Sequence, residues 1–307
     1  GGDDAVQEEM TPEISRALQG TSVALAQATA GVLPERDALI RIQECVRNVR
    51  VEEHDLDSVE YLPENTPPEL PGEFPSGIHQ LDMHMGGGGR RGELLYVSGQ
   101  KKAGKTSFLI SIGGHVLRTE EPTQHPWHVV HATFEIYKDA VFQRYTENMT
   151  RKPITMVTQN DLRTVNERVF NKLTIVNLVH DRRVQSLERV CDELQPDLLI
   201  VDYADCITTG TDNRFSALGS VYEQLRVYAK VYDCLVWTAS RLNNDGRDGE
   251  SYLKGYACDM HCTLDVNPDE ADRGIAWLDI NEIRRRSGTG DHIQLTYLPA
   301  VAYIGGE

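Results

Sequence analysis

The sequence predicts an α/β protein, a mainly parallel sheet with helices on both faces and an antiparallel hairpin near the C-terminus, preceded by a short helical segment. Three observations carry this. From Phe74 onward, short apolar runs alternate with helix-compatible stretches, the pattern of successive βαβ units. The last two runs follow each other with only a glycine-bearing turn between them, which fits an antiparallel pair. Between the first run and the first helical stretch stands Gly99-Gln-Lys-Lys-Ala-Gly104-Lys105-Thr106, a complete G-x-x-x-x-G-K-T phosphate loop.

Residues 1–10 are acidic and predict no regular element. Thr11-Pro12-Glu13 is a helix start, a capping residue followed by proline at the first helical position, and Gly31 is a stop. Residues 34–51 predict an amphipathic helix, because Leu39, Ile42, Val46 and Val49 recur three and four apart. Residues 52–75 are acidic, carry Pro63, Pro67, Pro68, Pro71 and Pro75, and predict an extended linker. The division is therefore a helical segment with its linker over 1–73 and one α/β domain over 74–307. Strands are predicted at 94–98, 129–133, 173–177, 198–202, 235–239, 275–282 and 292–297, with helices between the first five.

Composition narrows the function classes. A net charge of −16 over 307 residues excludes a generally basic nucleic-acid coat. It leaves room for a local basic lining, since charges more than about 8–10 Å apart are screened. The six cysteines, Cys45, Cys191, Cys206, Cys234, Cys258 and Cys262, are scattered, as in a reduced protein. Cys258-Asp-Met-His261-Cys262 lacks the second ligand pair of a structural zinc site. The alanine-rich stretch 23–32 is too short to span a bilayer, and no signal peptide is visible, so the expectation is a cytoplasmic protein with no membrane partner.

The phosphate loop predicts binding of ATP or another nucleoside triphosphate with Mg²⁺. Backbone amides from Gly99 through Ala103 and Gly104 to Ser107 point at the phosphates, Lys105 reaches the β/γ-phosphates, and the Thr106 hydroxyl sits on the metal. Leu198-Leu-Ile-Val-Asp202 is an apolar strand ending in a carboxylate, the arrangement that holds Mg²⁺ beside such a loop. Glu135 lies just past the second strand, where it is either a general base that polarises the attacking water or a solvated loop glutamate. Ser240-Arg241 ends the fifth strand, a position suited to sensing the γ-phosphate, and a polar, glycine-bearing loop follows over 243–254. Arg284-Arg285-Arg286-Ser-Gly288 is either a solvated basic turn or a group of cations that meets an anion.

Taken together, these segments resemble the motor domain of DnaB-type hexameric replicative helicases, of the RecA-like superfamily. The resemblance covers residues 74–304. It opens with Pro75-Ser-Gly-Ile-His-Gln-Leu-Asp82 and Gly86-Gly-Gly-Gly-Arg-Arg-Gly92-Glu93 ahead of the phosphate loop, and Thr-Phe-Glu135-Ile resembles the S-L-E-M segment that carries the family's catalytic glutamate. Val201-Asp202-Tyr203-Ala204-Asp205 is similar to V-D-Y-L-x, and Trp237-Thr-Ala-Ser240-Arg241-Leu242-Asn243 to the sensor segment S-Q-L-N, with Arg241 where the family has glutamine. Arginine brings a full charge and no acceptor, so it binds phosphate without reporting hydrolysis in the same way. Arg284-Arg-Arg286-Ser-Gly288 resembles K-Q-R-N-G, which implies Arg284 at the trans-acting lysine position and Arg286 as the arginine finger on a neighbouring subunit's nucleotide.

The resemblance implies an ATP-driven single-stranded DNA translocase assembled as a homo-oligomer, a hexamer, of a phage or plasmid type, with a primase or helicase loader as a further partner. Arg214, Arg247 and Lys254 are the candidate DNA contacts. Two other readings share the fold: a RecA/KaiC-like ring or filament ATPase in recombination or regulation, and a helicase-associated ATPase with weakened hydrolysis. The stripe of Leu39, Ile42, Val46 and Val49 is expected to dock on a neighbouring subunit, since four buried apolar side chains at about 1.5–3 kcal/mol each suffice to hold a helix. Deleting residues 1–60 should then leave a folded, nucleotide-binding monomer by particle mass, and persistence of the full oligomer would show that the α/β domains assemble alone.

Overall fold

The computed structural model describes residues 12–29, 33–34, 36–39, 41–42, 73–119, 126–208, 214–242, 254, 256–284 and 290–306. The chain divides into two units, Gly1–Pro67 and Pro68–Glu307. In the first, α1 (Pro12–Thr29) opens on the expected proline. Residues 36–39 and 41–42 are helical, and Arg41 reaches back to the Gln27 side chain at 3.4 Å. Leu39 is exposed. Val46, Val49, and the linker over 52–72 lie outside the described residues.

The second unit begins with α2 (His79–His84), β1 (Leu94–Gly99) and α3 (Lys105–Val116). There follow β2 (Val129–Thr133), α4 (Lys138–Thr150), α5 (Gln159–Val169), β3 (Leu173–Asn177), α6 (Val184–Leu194), β4 (Leu198–Asp202) and α7 (Arg214–Val231). The chain continues through β5 (Leu235–Arg241), β6 (Met260–Asp265), α8 (Pro268–Ala271), β7 (Ile275–Ile283), β8 (His292–Leu298) and β9 (Tyr303–Gly305). Among the described residues these nine strands form one sheet in the order β3-β2-β4-β5-β1-β6-β7-β8-β9. Pairing is parallel from β3 to β6 and antiparallel from β6 to β9.

Strands β1, β2 and β4 are buried along their whole length, which is why they read as continuous apolar runs. Alternation sorts their side chains between two cores. Leu198 and Ile200 meet Phe108 and Ile112 of α3 and Tyr145 of α4 on one face. Leu199 and Val201 meet Leu187 of α6 and Tyr222 and Leu225 of α7 on the other. Helices on both faces thus bury a sheet that could not be exposed to water on either side.

Two strands were not expected. Strand β6 takes in His261 and Cys262, residues weighed above as metal ligands; Cys262 is instead a buried core side chain, and His261 stacks on Tyr96 with ring centroids 4.1 Å apart. Strand β9 has three residues, too few for a periodic signal, and is fixed by pairing with β8. The antiparallel C-terminal part is therefore larger than one hairpin.

At the end of β5 a buried polar knot joins four segments of the chain. The Lys254 ammonium donates to Ser240 Oγ at 2.8 Å and Asp205 Oδ1 at 3.3 Å, and lies 5.4 Å from the Tyr222 ring centroid. The Tyr222 hydroxyl donates to the same Asp205 oxygen at 3.2 Å, and the Arg241 backbone N–H donates to Oδ2 at 2.8 Å. Lys254 is 1 % exposed. Breaking one side of a buried ion pair leaves an uncompensated charge at a cost of about 3–5 kcal/mol. Lys254→Met should therefore lower the urea midpoint by that equivalent, and an unchanged midpoint would show that Asp205 is satisfied without the ammonium.

Candidate active site

The parallel strands deliver their C-terminal ends to one edge of the sheet, where Gly99, Lys105, Thr106, Glu135, Asp202 and Arg241 gather. Strand β1 ends at Gly99, the chain turns through Lys102 and Gly104, both with positive φ, and α3 starts at Lys105. Gly104 is required twice over: its φ is 85°, and a Cβ there would lie 2.7 Å from Ile304 of β9. No side chain caps α3, so its first amides are left to donate to an anion. Ala103 is buried inside the loop and donates its N–H to the Gln100 carbonyl at 3.2 Å.

The Lys105 ammonium donates to the Gly99 and Gln100 carbonyls, each at 2.8 Å. Burial first, and then the Arg241 cation, lower its pKa to about 8 against the opposing pull of Asp205, Asp202 and Glu135. An ammonium held by carbonyls alone and crowded by a guanidinium is a group that gains from an incoming phosphate.

Thr106, one residue on, donates its hydroxyl to Asp202 Oδ1 at 3.2 Å. Asp202 closes β4, is 1 % exposed, and its Oδ2 has no hydrogen-bond partner among the described residues. A threonine hydroxyl beside a buried carboxylate is an all-oxygen donor pair, which suits a hard cation that keeps most of its waters and shares phosphate oxygens. Thr106 and Asp202 thus fit Mg²⁺.

Above this pair opens a cleft of about 430 Å³, lined by Gly104, Lys105, Thr106, Ser107, Glu135 and Arg241. That volume lies in the range of small-molecule sites. Glu135 is exposed on the loop after β2. The Arg241 guanidinium donates to the Tyr203 hydroxyl at 2.8 Å and lies 5.6 Å from that ring's centroid. Arg144 and Glu147 of α4 also line the cleft. Sequence reasoning missed both, because a cation and a carboxylate three apart on an amphipathic helix read as a solvated face.

Of the remaining candidates, the two whose side chains are described, Arg284 and Lys254, are not brought to the cleft. Arg284 sits at the end of β7, where its guanidinium donates to the Tyr256 carbonyl and approaches Asp259 at 4.0 Å. Arg286 and Arg247 lie outside the described residues. Arg214 is the first residue of α7, and its side chain is outside them too. Lys254, expected among the DNA contacts, is turned inward into the Asp205 knot, where the carboxylate stands in for the water that a buried ammonium loses. That expectation is corrected.

Residues 63–247, more than half of the chain, match the AAA domain family. A solved DnaB-like replicative helicase, whose structure was described together with its interactions with primase, shares the fold with a TM-score of 0.68. It is 16% identical, over 96% of this chain and 76% of that one. A solved ATPase domain aligns with a TM-score of 0.64 at 16% identity, over 76% of this chain and 91% of that one. No curated protein matches by sequence. No helix among the described residues is long and apolar enough to cross a membrane. The phosphate loop at the head of a parallel sheet, the carboxylate strand beside it and the extent of the family match lead to one conclusion: the chain belongs to the AAA domain family, built on the RecA-like fold of DnaB-type helicase motor domains.

Proposed function

We propose that this protein is an ATP-hydrolysing, single-stranded DNA translocase of the ring-helicase type, acting as a homo-oligomer, a hexamer. The observation that supports it most is the convergence of Lys105, Thr106, Glu135 and Arg241 on one cleft, with Asp202 directly beneath Thr106. Mg²⁺, when bound, neutralises phosphate charge and orients the γ-phosphoryl group. Thr106 and Asp202 are the residues that would hold it. Lys105 leaves the Gly99 and Gln100 carbonyls for the β/γ-phosphates, and the loop amides cradle the rest of the chain of phosphates. Glu135 takes the proton of the attacking water, its exposed position on the cleft rim suiting a group that must reach solvent.

Arg241 stands at the γ-phosphate end, and its backbone N–H is tied to Asp205. Movement of this arginine on nucleotide binding would be felt at Asp205 and, through it, at Lys254. Arg284 and Arg286 act on the nucleotide of the adjacent subunit, in keeping with the distance of β7 from the cleft of its own chain: β7 is separated from β1 by β6. Arg214 and Arg247 remain the contacts to DNA. A ring gathers these few cations in its channel while the exterior keeps the net charge of −16. A primase or loader is the natural further partner of such a ring.

Glu135→Gln should keep nucleotide binding yet lose turnover by about 10²-fold or more, the scale of a lost general base, whereas Lys105→Ala should lose turnover and weaken binding. Steady-state ATPase with and without single-stranded DNA, beside nucleotide titration, checks both. Parent-rate hydrolysis by Glu135→Gln would overturn the base assignment. Strand displacement on a forked duplex separates the helicase from a RecA/KaiC-like ATPase, which would hydrolyse ATP without unwinding.

A further inference from the structure

We propose that His131 is a positioning residue for the metal-holding carboxylate, donating from Nε2 to Asp202 Oδ2 within a Tyr145–His131–Asp202 relay buried under the phosphate loop. The inference rests on the metal-dependent nucleotide reading above and adds to it a residue that no part of the phosphate loop, the Glu135 segment or the C-terminal arginines supplies.

Strand register sets the geometry. In the parallel pairing of β2 with β4, His131 stands opposite Ile200 and Thr133 opposite Asp202. Side chains two apart share a face, so His131 lies one step below Asp202 on the face covered by α3 and α4. The His131 Nε2 is 3.9 Å from Asp202 Oδ2. Both atoms are buried, and neither has a hydrogen-bond partner among the described residues. Unsatisfied buried polar atoms are rare, and two facing each other are rarer. A shift of about 1 Å in the carboxylate brings them to hydrogen-bond distance.

The other ring nitrogen decides the polarity. His131 Nδ1 is 3.0 Å from the Tyr145 hydroxyl. Burial first, and then the Asp202 charge, raise the Tyr145 pKa far above the usual phenol value, so the phenol keeps its proton. No other acceptor for it occurs among the hydrogen bonds of the described residues. Tyr145 therefore donates to Nδ1, the remaining imidazole proton sits on Nε2, and that N–H points at the carboxylate. The opposite tautomer would strand the phenol proton and turn a lone pair towards Oδ2. The same outer hydrogen bonds that fix ligating groups in other metal sites are thus built here from a histidine that acts on a carboxylate.

The relay is accommodated by the backbone of α3. A Cβ on Gly113, in mid-helix, would lie 2.5 Å from the Tyr145 hydroxyl and 2.8 Å from Ile200 Cδ1. A glycine where helix propensity disfavours it gives the phenol its path to His131. With Oδ2 held, Oδ1 keeps its bond to the Thr106 hydroxyl and the carboxylate cannot rotate out of register with the metal.

The test compares His131→Leu, His131→Gln and Tyr145→Phe in the full chain. Mn²⁺ affinity is read by electron paramagnetic resonance with a non-hydrolysable ATP analogue, beside metal-free nucleotide binding and thermal melting. His131→Leu should weaken Mn²⁺ binding by about tenfold or more, the usual scale for an outer-shell partner, with metal-free nucleotide binding unchanged. His131→Gln, which keeps an N–H at the Nε2 position, should recover to within about threefold of the parent, and Tyr145→Phe should fall between the two. Parent-like Mn²⁺ affinity in His131→Leu would overturn the proposal, as would equal losses in the Leu and Gln variants. If His131→Leu does not fold, the Gln and Phe variants carry the decision: parent-like affinity in Tyr145→Phe overturns the relay. A parent protein with no metal-dependent nucleotide binding would instead overturn the functional reading, and this proposal with it.

Discussion

Parallel pairing of β1 with β5, β5 with β4 and β4 with β2 is the constraint on which the rest of the structure depends. Parallel strands all end at one edge, so Gly99, Arg241, Asp202 and the residues after Thr133 emerge side by side although they are far apart in sequence. Helix α3 then crosses the sheet from β1 and sets Thr106 on Asp202, two strands away from the loop that carries it. An antiparallel arrangement of the same strands would send half of these groups to the opposite edge. Pairing of this kind needs both faces covered, and the two cores supply that cover.

The same edge explains how a departure from the helicase pattern is accommodated. Arg241, where the resemblance leads one to expect an uncharged glutamine, adds a cation beside Lys105, and that cation, second to burial, weakens the lysine's hold on its proton. The excess charge is met by Tyr203 on the guanidinium and by Asp205 on the backbone, and Asp205 is in turn balanced by Lys254. Arg241, Asp205 and Lys254 are therefore one electrostatic unit. On the proposed reading, that unit carries the signal of an occupied site towards DNA.

Elements whose physics is local were legible in the sequence. The strands at β1, β2 and β4 are apolar throughout because both their faces are buried, and the phosphate loop is a contiguous motif whose flanking strand and helix can be read beside it. Strand β6 was hidden because its cysteine and histidine resemble ligands, and only the neighbouring β1 and β7 reveal them as core. Lys254 was misread for a related reason: its loop is polar in composition, and the carboxylate that draws it inward lies at Asp205, across the fold. His131 was invisible inside an apolar run, since its partners Tyr145 and Asp202 meet it only through helix packing and strand register. Arg144 and Glu147 had no motif to mark them.

The central claim is that catalysis is completed between subunits, with the phosphate loop from one chain and Arg286 from the next. Mixing Lys105→Ala with Arg286→Ala tests it most directly. Each variant alone should hydrolyse ATP poorly, by about 10³-fold or more for a lost arginine finger. In mixed assemblies some interfaces pair an intact phosphate loop with an intact Arg286, so ATPase activity should return on mixing. A mixture that co-assembles yet stays inactive, or full activity of Arg286→Ala alone, would contradict the account.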